Sequence, residues 1–185
     1  MIGKKNIVFG FLYLVFTAAL GPYMIKTMFP DVGQAEQAKQ AALAPLQQLA
    51  QDNFEKDLEP VGPDALSKAN TKGILALNQL SNAEAPIDDM KGGPHAHGNL
   101  ESLLNIAAGL VLCLMAGPAL VKQLISWVFI LGALLHSGML YLRAFDVAWA
   151  GKVLNTGVGP VLVLLGFLLL GLAAAVWFRG EPVRD

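Results

Sequence analysis

The residues best suited to chemistry lie where a polar, acidic segment gives way to an apolar run, at positions 92–106. His95 and His97 occupy the junction, and Glu101 and Asn105 follow inside the apolar run. Ionisable and amide groups are costly at membrane depth and usually serve a function. Because imidazole ligates zinc, copper and haem iron, this stretch predicts a metal or haem site.

Helical spacing places three of these side chains on one face. At about 100° per residue, His97, Glu101 and Asn105 project to the same side at increasing depth, whereas His95 points elsewhere. His136 lies 14 residues after Lys122, about 21 Å along a later helix, which places it at the level of Glu101 and Asn105. We therefore expect His97 to be the principal ligand, with Glu101 orienting its ring. His136 is expected to share the cavity, and His95 is the alternative ligand.

The overall composition is that of a membrane protein. Of 185 residues, 55 % are hydrophobic and 15 % are charged, whereas a soluble domain carries about a quarter charged residues. Four apolar runs, each roughly 19–21 residues long, match the ~30 Å hydrocarbon core of a bilayer. They are Ile7–Ile25, Leu100–Leu120, Leu124–Leu142 and Val158–Phe178. The predicted fold is an all-α membrane protein, a four-transmembrane-helix bundle.

The sequence between the first two spans predicts a helical extracytoplasmic insert with an acidic balance. Residues 31–93 hold ten acidic residues against five lysines. Alanine and leucine recur there at helical spacing, predicting a helix interrupted near Pro45 and, after a break at residues 60–63, a second helix over Asp64–Leu80. The predicted divisions are residues 1–30 for the N-terminus and first span, 31–93 for the insert, and 94–185 for spans 2–4 and the tail.

Basic residues beside the spans predict the orientation. Lys4, Lys5, Lys122 and Arg179 fall on one side, so the positive-inside rule predicts that both termini are cytoplasmic, in a bacterial-type inner membrane. The first run exceeds the roughly 7–15 apolar residues of a signal peptide, which predicts a retained span. The lone cysteine, Cys113, is expected to pack as a small apolar residue. The net charge of −1 gives no indication of nucleic-acid binding.

Two short motifs resemble the styrene-oxide isomerases, small four-span bacterial membrane proteins that carry haem b and convert epoxides to aldehydes. They are Ala96-His97-Gly98 with Leu104-Asn105, and the end of the third span, Gly138-Met-Leu-Tyr141-Leu. The resemblance implies haem b ligated by His97, with Asn105 and Tyr141 in the substrate pocket. The family's span-3 aspartate has no counterpart here, and this chain has His136 in that region.

The resemblance and the residues themselves leave three alternative functions. The first is a haem-dependent isomerase whose ferric iron acts as a Lewis acid on a small apolar epoxide, with Glu101, Asn105 and Tyr141 as catalytic residues. The second is a haem b electron carrier in which His97 and His136 are both axial ligands. The third is a non-catalytic accessory or assembly subunit of a larger membrane complex. A homo-oligomer is also compatible with the sequence.

Overall fold

The computed structural model describes residues 1–56 and 59–182, and it is 84 % helical. The chain is therefore all-α in class, as predicted. The helices are α1 Gly3–Ala18, α2 Leu20–Thr27, α3 Phe29–Gln51, α4 Pro63–Met90, α5 Ala96–Cys113, α6 Ala119–Ala133, α7 Met139–Ala144, α8 Ala148–Leu154 and α9 Val158–Trp177. Two short strands, β1 Glu55–Lys56 and β2 Glu59–Pro60, pair antiparallel. Two π-helical turns, Lys91–His95 and Leu134–Gly138, precede α5 and α7.

The chain divides into two compact units. The first combines Met1–Gly21 with the chain from Asp89 onward, and the second is Pro22–Asp88. The first unit contains all of the residues predicted to be functional. The second unit falls within the predicted insert apart from its first nine residues, of which residues 22–27 complete the first apolar helix.

Glycines bring α1 and α5 into close contact along their length. A Cβ atom added to Gly109 would lie 2.7 Å from the Gly3 carbonyl oxygen and from the Ile7 side chain. At the other end of the pair, a Cβ added to Gly98 would clash with Thr17. Because the start of α1 meets the end of α5, these two helices are antiparallel. Small residues permit this close approach of helix backbones in membrane proteins.

Glycines also allow close contact between α6 and α9. A Cβ added to Gly132 would lie 2.9 Å from Val163, and one added to Gly166 would lie 3.1 Å from the ring of Phe129. The shared core of this end of the bundle consists of Ala108, Leu112, Met115, Ile125, Phe129 and Ala173. The helices thus alternate in direction from α1 through α5 and α6 to α9.

The turn between α5 and α6 lies at the same end of the bundle as the end of α9. The amide of Ala116 donates to the Trp177 carbonyl at 2.9 Å, and that of Arg179 donates to the Leu114 carbonyl at 3.1 Å. Lys122 is fully buried there and donates to the Met115 carbonyl at 3.1 Å. The predicted end of the second span at position 120 is wrong, since α5 ends before the Gly-Pro turn.

Three helices are long and apolar enough to cross a membrane within the described residues. They are Gly3–Thr27, Ala119–Ala144 and Val158–Trp177, and they correspond to the first, third and fourth predicted spans. The predicted second span corresponds to α5, which is not among them. Its first half carries histidine, asparagine and glutamate side chains that lower its apolar character.

In the second unit, α3 and α4 approach each other at Gly73. Gly73 lies beneath Leu43 and Leu46, whose methyl groups would be 3.1 Å from an added Cβ. Pro45 does not interrupt α3, contrary to prediction, because the alanine, leucine and glutamine residues around it favour helix strongly enough to absorb one lost hydrogen bond. Likewise, α4 continues past Leu80 to Met90.

Substituting Gly109 by alanine should destabilise the protein by about 1–3 kcal/mol, because the new methyl group overpacks the α1–α5 contact. The matched control is Gly171→Ala on α9, where an added Cβ meets nothing within 4 Å. That control should be neutral or slightly stabilising through its higher helix propensity. Thermal or denaturant unfolding in detergent measures both variants. Equal behaviour of the two would contradict the close helix contact.

Candidate functional site

Glu101 is the centre of a polar cluster inside the bundle. It lies on α5 with only 3 % of its surface exposed. Nδ1 of His136 donates to its Oε1 at 2.5 Å. The hydroxyl of Ser137 donates to its Oε2 at 2.5 Å, and the Ser137 amide lies 3.4 Å from the same oxygen. Both carboxylate oxygens are thus held by donors from the chain segment that follows α6.

The π-helical turn Leu134–Gly138 explains how two successive residues reach one carboxylate. In an α-helix, neighbouring side chains diverge by about 100°, and the wider π turn reduces this angle. His136 therefore contacts Oε1 while Ser137 contacts Oε2. The other π turn, Lys91–His95, lies beside this one and precedes α5. Such turns are frequent at functional sites.

Pro94 lies inside that earlier π turn. The helical chain continues from α4 through the turn into α5. Proline lacks an amide hydrogen and its ring crowds the preceding turn. A wider turn at this position accommodates both effects without ending the helix.

Tyr13 of α1 extends the cluster. Its hydroxyl lies 2.9 Å from that of Ser137. Because the Ser137 hydroxyl donates to Glu101, the Tyr13 hydroxyl donates to Ser137. The result is a chain of hydrogen bonds that joins α1, the π turn and α5.

His97 completes the cluster on its exposed side. Its ring centre lies 4.8 Å from that of His136, with the two planes inclined by 59°. One ligand atom each from His97, Glu101 and His136 lies within 4.8 Å of the others. Glu101 orients His136 rather than His97, which differs from the predicted pairing. Two imidazoles and a carboxylate form a ligand set that suits a transition-metal ion.

Asn105 belongs to a different cluster, one turn further along α5. Its Oδ1 accepts from Asn6 Nδ2 at 3.0 Å, and its own Nδ2 donates to the carbonyls of Glu101 and Phe129 at 3.0 and 3.3 Å. Asn6 also donates to the Ser126 carbonyl at 3.1 Å and accepts from its hydroxyl. This buried cluster therefore ties α1, α5 and α6 together.

The remaining two predicted site residues, His95 and Tyr141, make contacts of their own. His95 Nδ1 donates to the Thr17 carbonyl at 2.9 Å, which fastens the start of α5 to α1. Asn99 accepts from the Thr17 hydroxyl at 2.8 Å in the same region. Tyr141 lies on α7, where its ring packs on Phe145 with centres 5.2 Å apart.

The contribution of α1 to the polar clusters was not predicted from the sequence. Asn6, Tyr13 and Thr17 are spaced seven and four residues apart, so they fall on one helix face, and Gly3 and Gly10 fall on the same face. A polar and small-residue stripe of this kind in an apolar helix marks a face packed against other helices. That signal could have identified all three residues from the sequence.

No protein-family model, curated protein or solved structure matches this chain.

The Asn6–Asn105 contact should stabilise the bundle. A double-mutant cycle of Asn6→Ala and Asn105→Ala should give a coupling free energy of about 0.5–2 kcal/mol, the range of interhelical hydrogen bonds in membranes. Unfolding of the four proteins in mixed micelles provides the measurement. Strictly additive single effects would mean that the two side chains do not interact.

Proposed function

We propose that the chain is a four-span membrane protein in which α5 is the additional crossing helix. Its 18 residues extend about 27 Å. Its polar side chains face the bundle, since Glu101 and Asn105 are 3 % and 1 % exposed, whereas Leu100 and Leu103 are each 54 % exposed. A helix with this distribution can meet lipid with its apolar face only. Helices with polar groups turned inward are compatible with the hydrocarbon core.

The proposed orientation has both termini cytoplasmic and the segment between α1 and α5 extracytoplasmic. The start of α1 and the end of α9 lie at one end of the bundle, as an even number of spans requires. Lys4, Lys5 and Arg179 belong to that end, which supports its cytoplasmic placement in a bacterial-type inner membrane.

Within this topology, we propose that the protein carries a metal centre formed by His136 and His97 in the extracytoplasmic half of the bilayer. The supporting observation is the bond between His136 Nδ1 and the buried Glu101 carboxylate. Without a metal, this bond holds the His136 ring beside the carboxylate, and ligand atoms of His97, Glu101 and His136 lie within 4.8 Å of one another. A metal with an open position there would act as a Lewis acid on an oxygen atom of a small apolar substrate.

Haem b as the cofactor rests on the family resemblance. Two axial imidazoles separated by an iron would have ring centres roughly 6 Å apart, given metal–nitrogen bonds of about 2 Å. The 4.8 Å separation of His97 and His136 is shorter, so a bis-histidine carrier would require the two rings to move apart. Ligation by His97 alone is compatible with it. Asn105 has both amide hydrogens committed to backbone carbonyls, which leaves it no donor for an epoxide oxygen.

The topology predicts that cysteines at positions 60 and 181 are reached from opposite sides of the membrane. Pro60→Cys and Glu181→Cys are introduced separately into a Cys113→Ala background, which removes the one native cysteine. A membrane-impermeant thiol reagent applied to intact cells should label position 60 and spare position 181. Labelling of both positions, or of 181 alone, would refute the orientation.

The metal centre predicts that purified protein contains a transition metal and that His136→Ala or His97→Ala removes it. His95→Ala is the matched control, since that ring bonds the Thr17 carbonyl and should leave the metal content unchanged. Elemental analysis detects a bound metal ion, and the absorption spectrum of the same sample detects haem. A wild-type protein that holds neither after reconstitution would leave the accessory-subunit function in place of a metal centre.

A further inference from the structure

We propose that the cofactor is a single first-row transition-metal ion ligated by His97, Glu101 and His136, without a porphyrin. This inference rests on the proposed metal centre and specifies its ligands. The ion would occupy the position now bridged by the hydrogen bond between His136 Nδ1 and Glu101 Oε1. His97 would supply the third ligand from the exposed side.

The Glu101 carboxylate is already oriented for such a role. Its Oε2 is anchored by the hydroxyl and the amide of Ser137, and Ser137 is held in turn by Tyr13. Oε1 is the oxygen that faces the imidazoles. Ligating carboxylates are themselves commonly hydrogen-bonded by neighbouring groups, as this one is.

The distances require only a local adjustment. With metal–ligand bonds of about 2.0–2.2 Å, neighbouring ligand atoms lie about 3 Å apart. The Nδ1–Oε1 separation of 2.5 Å must therefore widen slightly. The ligand atom of His97, now within 4.8 Å of those of Glu101 and His136, must move closer to both. The His97 side chain is exposed, so its rotation displaces no packed core residue.

The donor atoms select the class of ion. Two imidazole nitrogens and one carboxylate oxygen suit Zn²⁺, Fe²⁺, Co²⁺, Ni²⁺ or Cu²⁺, whereas Mg²⁺ and Ca²⁺ prefer oxygen ligands alone. Three protein ligands leave at least one position open, the pattern of catalytic rather than structural sites.

The test is titration of detergent-purified, chelator-treated protein with Co²⁺, followed by its visible absorption, with Zn²⁺ as competitor. Wild type should bind one Co²⁺ per chain with a d–d spectrum that Zn²⁺ abolishes and that an equal concentration of Mg²⁺ leaves intact. His97→Ala and Glu101→Gln should each weaken Co²⁺ binding at least tenfold, and His95→Ala should not change it. Because His97 is exposed, its alanine variant should retain the bundle, as checked by circular dichroism.

The outcomes separate this inference from the proposed function. A Soret band that depends on His97, with no Co²⁺ binding, would overturn the single-ion inference and leave the metal centre standing. Failure to bind either haem or Co²⁺ would overturn both. Co²⁺ binding that is unchanged in His97→Ala and Glu101→Gln would also overturn the assigned ligands.

Discussion

The buried carboxylate of Glu101 is the constraint on which the rest of the bundle depends. Burying a carboxylate away from water costs several kcal/mol unless partner groups compensate it. Here the compensation comes from His136 and Ser137, which reach the carboxylate from one π-helical turn. Tyr13 supports Ser137 from a third helix. Three segments must therefore pack together before the charged group can be sheltered.

Small residues make that shelter possible. Gly3, Gly10, Gly98 and Gly109 let α1 approach α5 so closely that an added methyl group would clash at each of them. The approach brings Tyr13 within reach of the cluster. Next along the same interface, the Asn6–Asn105–Ser126 cluster fixes the register between α1, α5 and α6. Close packing and buried hydrogen bonds thus act together, and neither would hold the site geometry without the other.

Run lengths and polarity were sufficient to predict the all-α class and three helices with the character of membrane spans. The placement of His97 and Glu101 on one helix face could also be predicted, because residues four positions apart lie on the same face of a helix. The pairing of Glu101 with His136 was not, since it depends on a π turn for which the sequence has no reliable signal. Asn105 was grouped with the site because spacing on one helix gives a face but cannot identify the partner helix. Its actual partner, Asn6, is 99 residues away.

The hydrogen bond between His136 and Glu101, on which the proposed site depends, can be measured directly. Nuclear magnetic resonance of protein labelled with ¹⁵N-histidine, in lipid and without metal, reports which ring nitrogen of each of the three histidines carries a proton. We predict that His136 carries its ring proton on Nδ1, in a strong hydrogen bond to Glu101. The ¹⁵N chemical shift of Nδ1 should therefore change markedly in Glu101→Gln. A His136 proton resident on Nε2, with a spectrum unaffected by that substitution, would contradict it.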